Sequence, residues 1–182
     1  MKKKILIVTL CFFTVMNLYT QTNAVPENVF RAFREAGIQV LTTGVRPSDF
    51  SLPLLDGTTF TLSQLQGRGV FLNFWATWCP PCRAEMPSME ALYQRLKDRG
   101  LEIIAVNLGE SRNTVSNFMT QYNLSFPAAL DLRSSTGSLY GVQAVPTTYI
   151  IDRRGLVVAR LVGSIDWNTP RVITAFETLL QN

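Results

Sequence analysis

Gly69–Trp75 (GVFLNFW) is an almost unbroken apolar run, interrupted only at Asn73. Its length and β-favouring residues predict a central strand buried on both faces. Apolar positions then switch to helical spacing. Met86, Met89, Leu92, Tyr93 and Leu96 fall on one face, and Gly100 closes the run. Leu101–Leu108 (LEIIAVNL) predicts the next strand. Asn113–Tyr122 predicts a second amphipathic helix, with Val115, Phe118, Met119 and Tyr122 at spacings of three and four. Phe126–Leu130 reads as a short strand and Ser134–Tyr140 as a short helix. Thr147–Ile151 and Leu156–Val162 are strands around the turn Asp152–Gly155. A last helix starts at Asn168 or Thr169 as N-cap, with Pro170 at its first position and Val172, Ile173, Phe176, Leu179 and Leu180 inward. The order is strand, helix, strand, helix, antiparallel hairpin, helix. It predicts an α/β fold with a mixed central sheet and helices on both faces.

Upstream, Phe50–Leu52 and Thr58–Leu62 flank Asp56-Gly57, a hairpin signal. Pro26–Gly37 reads as a short helix with Val29, Phe30 and Phe33 on one side, and residues 38–48 as a linker. The chain shows no internal repeat and no low-complexity tract.

Composition changes this picture at the N-terminus. Lys2, Lys3 and Lys4 precede Ile5–Tyr19, a stretch without charge, and the next charged residue is Glu27. This is the shape of a secretory signal, with cleavage expected after Ala24. The apolar core falls short of the ~20 residues of a spanning helix. An uncleaved membrane anchor extended through Thr20–Ala24 is the alternative. Leu10 before Cys11 is not the small residue that lipid attachment wants. Either way the rest of the chain is expected outside the cytoplasm, in the periplasm or on the outer face of the cytoplasmic membrane, where disulfide chemistry operates. The division read is 1–24 for signal peptide or anchor, 25–48 for a short helix and linker, and 49–182 for the main domain. The chain has 182 residues, 47% of them hydrophobic, enough for one domain with a core. Three of its 17 basic residues lie in the leader, so the net charge of +4 does not describe the domain. No basic run follows Lys4, and no nucleic-acid partner is expected.

The chain has no His, which excludes Cys–His and Ser–His catalysis and His-ligated metals. It has three Cys. Two of them, Cys79 and Cys82, flank Pro80-Pro81 between the Gly69–Trp75 strand and the helix after it. Cys79 is placed at the helix N-terminus, where the dipole and free N–H groups favour a thiolate, with Arg83 adding charge. Cys82 lies one turn on, in reach to resolve a mixed disulfide. A zinc half-site lacks further ligands, and a purely structural bridge over so short a loop constrains the unfolded chain little. CxxC beside a βαβ pattern points to redox work, with no cofactor or metal. Glu85, three residues after Cys82, projects from the same side of the helix. Near buried thiols its pKa is expected to rise through desolvation, which suits acid–base work.

The segment Asn73–Pro87 (NFWATWCPPCRAEMP), Pro87 in the following helix, and Val145-Pro146-Thr147-Thr148 before a strand resemble the TlpA/ResA branch of the thioredoxin superfamily. The resemblance runs from about Asp49 to the C-terminus. It implies a thioredoxin fold with an N-terminal β-hairpin and a central helical insertion, matched by Asn113–Tyr122. It implies an exported thiol–disulfide oxidoreductase with Cys79 and Cys82 as the redox pair and Glu85 assisting proton transfer. Pro146 corresponds to the family's cis-proline, so Val145, Pro146 and Thr147 are expected at the substrate, together with Trp78, Pro80 and Pro81. Asn73 stands where thioredoxins proper carry a buried Asp, and Asn cannot titrate. The implied partners are thiol or disulfide-bonded proteins, apocytochrome c among them, and a membrane thiol donor of the DsbD or CcdA kind. Cytochrome-dedicated members usually carry Gly-x-Pro-Glu-Thr at the cis-Pro loop, whereas this chain has Ala144-Val145-Pro146-Thr147-Thr148. A disulfide-donating oxidase uses the same residues, although Pro80-Pro81 removes two N–H groups near Cys79 and so favours a reductant. A peroxiredoxin, which Phe50–Trp75 also resembles, wants Thr three residues before the reactive Cys, where Ala76 stands. A redox-inert binding module is the reading from another class.

Overall fold

The computed structural model describes residues 23–182; the leader read over 1–24, with Cys11, lies outside them apart from Asn23 and Ala24. The chain runs through α1 (Glu27–Glu35), β1 (Gln39–Val45), β2 (Ser51–Pro53), β3 (Thr59–Thr61), β4 (Gly69–Trp75) and α2 (Pro80–Leu96). It continues with β5 (Leu101–Leu108), α3 (Arg112–Gln121), β6 (Ala128–Asp131), α4 (Ser135–Leu139), β7 (Thr147–Ile151), β8 (Val157–Val162) and α5 (Pro170–Leu180). The main sheet is ordered β1-β8-β7-β4-β5-β6. β4, β5 and β6 are parallel, while β7, β8 and β1 each pair antiparallel with their neighbours. This is the expected mixed sheet of a thioredoxin-like fold.

Strand alternation decides what covers each face. Phe71, Trp75, Ile103 and Ile150 face the layer of α1, α2, α3 and α5. Val70, Leu72, Phe74, Ile104 and Val106 face the other way. There the β2–β3 hairpin, a 3-10 turn (Leu62–Leu65) and residues following α4 complete a second core. Helices do lie on both faces, but the hairpin does much of the covering on the second. All seven residues of β4 are buried, as its composition required. Asn73 shares the alternation of Phe71 and Trp75, so it points into the helical layer against α2.

The linker expected over residues 38–48 is corrected. Gln39–Val45 is the edge strand β1, paired with β8. Its alternation is weak because much of it is exposed, so the pattern was hidden and tertiary pairing decides the conformation. Ala24 bridges to Thr43, and the Arg154 guanidinium in the β7–β8 turn donates to the Ala24 carbonyl at 3.2 Å. The preceding helix is also integrated. Phe33 of α1 is fully buried and meets Phe176 of α5 edge to face, with centroids 5.2 Å apart. At the other end, Thr169 is the N-cap of α5, its hydroxyl accepting the Val172 N–H. Among the described residues no helix is long and apolar enough to cross a membrane.

Since α1 packs into the same core as the redox helix, Phe33→Ala is expected to cost about 3–5 kcal/mol in chemical denaturation. An unchanged midpoint would make α1 an appendage rather than part of the domain.

Candidate active site

The site forms where β4 ends and α2 begins. Ala76 to Trp78 make the turn, and the Cys79 N–H donates back to the Ala76 carbonyl at 3.3 Å. Glu110, just after β5, braces this turn. It accepts the Thr77 N–H at 2.7 Å and the Thr77 hydroxyl at 2.5 Å, and Asn107 holds it from the side at 2.7 Å. The Thr77 hydroxyl is thus committed to Glu110. With Ala76 in the preceding position, the Thr that the peroxiredoxin reading required has no counterpart here.

Cys79 is the N-cap of α2, in extended conformation, and is joined to Cys82 by a disulfide with the two Cα atoms 5.3 Å apart. Its Sγ accepts the Cys82 N–H at 3.2 Å. Pro80 and Pro81 occupy the first turn and bring no N–H of their own. The Arg83 N–H turns to the Cys79 carbonyl instead of the sulfur. Cys79 is 2% exposed and Cys82 0%, while Trp78 beside them is 69% exposed. Arg83 does not point at the sulfur as expected; its guanidinium donates to the Tyr122 hydroxyl on α3 at 3.0 and 3.2 Å.

The Val145–Pro146 peptide is cis, and the Val145 carbonyl lies 3.6 Å from Cys79 Sγ. The Pro146 carbonyl accepts the Gly163 N–H at 2.8 Å, which fixes the loop against the segment after β8. Of the residues expected to meet a substrate, Trp78, Pro80 and Pro81 are exposed and Val145 is half-buried. Pro146 and Thr147 are buried. The Thr147 hydroxyl donates to the Ala144 carbonyl at 2.7 Å and braces the loop from within, because β7 pairing turns the side chain inward.

Glu85 is buried one turn beyond Cys82. Asn73 Nδ2 donates to Glu85 Oε1 at 3.0 Å and also to the Thr148 hydroxyl at 3.0 Å. The Trp167 indole N–H donates to Oε2 at 2.9 Å. Burial raises the Glu85 pKa to about 7, against the opposing effect of the Trp167 and Asn73 hydrogen bonds. Ser88 links the same segments, donating to the Glu85 carbonyl at 2.8 Å and accepting the Trp167 N–H at 3.1 Å. Trp167 and Glu110 escaped the sequence reading, and Thr148 entered it only as part of the cis-Pro segment. The one signal for Trp167 was a large aromatic in the polar loop just before the N-cap of α5. Glu110 looked like an ordinary residue ahead of a helix. Among the described residues no group of three or more His, Cys, Asp or Glu is assembled to hold a metal ion.

The raised pKa carries a sign. The fold favours protonated Glu85, so its contribution is complete below the ordinary pKa of 4.5 and is lost as pH rises through about 7. Denaturant melts of the oxidised protein are expected to show a loss on the order of 3 kcal/mol across that window from this group. Glu85→Gln should flatten the dependence; an equally steep loss in that variant would place its origin elsewhere.

Comparisons with known proteins agree with this geometry. The AhpC/TSA family pattern matches residues 43–160. The thiol-disulfide oxidoreductase ResA of Bacillus anthracis is 40% identical over 151 residues, covering 83% of this chain and 87% of that protein. ResA of Bacillus subtilis (strain 168) is 42% identical over 130 residues, covering 71% and 73%. Among solved structures, a Chlorobium tepidum protein provisionally assigned as the thiol:disulfide interchange protein DsbE superposes with a TM-score of 0.70 at 34% identity. It covers 75% of this chain and 96% of its own. The chain therefore belongs to the AhpC/TSA family, and within the thioredoxin superfamily to the TlpA/ResA-like thiol–disulfide oxidoreductases.

Proposed function

We propose that this oxidoreductase works outside the cytoplasm as a reductant of protein disulfides. The observation that carries the direction is the donor count at Cys79. Of the first three positions of α2, only Cys82 supplies an N–H to its sulfur. A thiolate with few donors is less stabilised, and a less stable reduced form makes a better electron donor.

The reaction starts from the reduced pair. The Cys79 thiolate attacks one sulfur of a substrate disulfide, and the substrate's other sulfur leaves as a thiolate and is protonated. The mixed disulfide lies against the cis-Pro loop, where an extended substrate chain pairs with the Val145 backbone beside Trp78. Cys82, buried until then, gives its proton to the Glu85 carboxylate and attacks Cys79 Sγ. The second substrate thiolate leaves and takes up a proton. Two electrons have passed to the substrate, and Cys79–Cys82 is a disulfide. A membrane dithiol carrier of the DsbD or CcdA kind then returns two electrons. A pKa near neutrality suits Glu85 to both halves of this cycle. The oxidised cysteines of apocytochrome c are one substrate of the right chemistry. The Ala144-Val145-Pro146-Thr147-Thr148 loop supports a broader range of clients than a cytochrome-dedicated enzyme.

The equilibrium reduction potential of the full chain against a thiol redox buffer tests the direction. A value at or below about −250 mV is expected, and one near about −120 mV would make the protein a disulfide donor. Cys82→Ser is expected to accumulate a mixed disulfide with client proteins and Cys79→Ser to abolish it. Equal binding of clients by both variants, with no covalent adduct, would favour a redox-inert module.

A further inference from the structure

We infer that Trp167 is a positioning residue for the Glu85 carboxyl, and that its indole N–H, set against the Asn73 amide, directs the proton to one of the two carboxyl oxygens. The inference rests on the reading of Glu85 as the group that exchanges a proton with Cys82. Its basis is the hydrogen-bonding capacity of each partner.

An indole N–H is a donor only. Held 2.9 Å from Oε2, Trp167 can stabilise that oxygen as an acceptor and cannot accept a proton from it. Trp167 is itself held in one place. It is completely buried, its ring meets Phe71 edge to face with centroids 4.6 Å apart, and its backbone N–H is bound by Ser88 of the redox helix. A carboxylic O–H therefore belongs on Oε1, the oxygen facing Asn73.

Asn73 can serve both states of that oxygen. With Glu85 ionised, Nδ2 donates to Oε1 and to the Thr148 hydroxyl, which leaves the buried Oδ1 without a partner. An amide turned over by half a rotation presents Oδ1 to the same two groups. It then accepts the Oε1–H of neutral Glu85 and the hydroxyl hydrogen of Thr148, both of which reverse direction. The acceptor orphaned in the ionised state is the one the protonated state requires, and the two N–H groups of Nδ2 move to the place Oδ1 held. An Asp at position 73 could not offer this exchange, because it has no N–H to give to an ionised Glu85.

The surroundings isolate the exchange. On α2 the two Cys are tied in the disulfide and titrate only once reduced, while Glu90 is turned to Ser125. β4 and β7 present Asn73 and Thr148, which do not titrate here. On the loop before α5, Asp166 is exposed and accepts the Asn168 N–H. No charged side chain among the described residues contributes to the Glu85 environment.

The test is a pH titration of the full chain by NMR, following the three indole N–H resonances and the Glu85 carboxyl carbon, in oxidised and reduced protein. The Trp167 indole is expected to titrate with the Glu85 carboxyl at one shared midpoint, near 7 in the oxidised form. The exposed Trp78 indole should stay flat, and Glu85→Gln should flatten Trp167. Trp167→Phe is expected to move the Glu85 midpoint, and that of thiol-exchange activity, upward, since a donor to the charged form is lost. A Trp167 indole that ignores pH while the Glu85 carbon titrates would overturn the inference, and the wild-type spectra decide this even if Trp167→Phe fails to fold. If the two resonances titrate together but Glu85→Gln leaves the activity profile unchanged, the positioning stands and the proton-transfer reading of Glu85 falls.

Discussion

A carboxyl group removed from water has to be given hydrogen bonds or it stays neutral, and much of this molecule is arranged around that requirement at Glu85. Two of its partners come from strand β4 and from the loop before α5, and β7 joins through Thr148. The redox helix itself returns to the same loop through Ser88. Segments far apart in sequence thus converge on one buried side chain a turn below the disulfide. Strand β4 must carry a polar residue in an otherwise apolar run, and it must carry it at a position that alternates toward α2. The tight packing of Phe71, Trp167 and Phe176 keeps water from relieving the carboxyl by solvation. The same desolvation that raises its pKa gives it a proton affinity near neutrality.

The sulfur end is organised by restraint. The turn before Cys79 is held by Glu110, an acid whose oxygens are occupied by Thr77 and Asn107. The prolines after it withhold backbone donors. The Val145 carbonyl, not a cation, is what the structure places beside Cys79, and Arg83 is drawn away to Tyr122. Cys79 Sγ keeps a single backbone donor, the Cys82 N–H.

Much of this was legible in the chain because local signals agreed with the global fold. The β4 and β5 boundaries followed from predominantly apolar runs, and CxxC with the later Val-Pro-Thr-Thr segment pointed to the site from the chain alone. Two kinds of feature were illegible. The edge strand β1 has too few buried positions to show a period, and its conformation comes from β8. Trp167 and Glu110 act through contacts with partners 82 and 33 residues away in sequence, and nothing in their own neighbourhoods marks them. The loop-bracing hydrogen bond of Thr147 was illegible for a related reason. Motif position suggested a contact, while β pairing directs its side chain into the loop it supports.

The short bridge between Ala24 and Thr43 has a consequence for how the domain is held. Register fixes direction: Phe74 pairs with Thr147 and Thr147 with Val162 at the sulfur end of the sheet. Ala24 is clamped by Arg154, which lies in the turn joining the far ends of β7 and β8. The length of β4 separates the two ends by roughly 20 Å. Ala24 therefore lies at the base of the domain while the disulfide crowns it. The clamp on Ala24 and the redox pair thus occupy opposite ends of the sheet, and neither crowds the other.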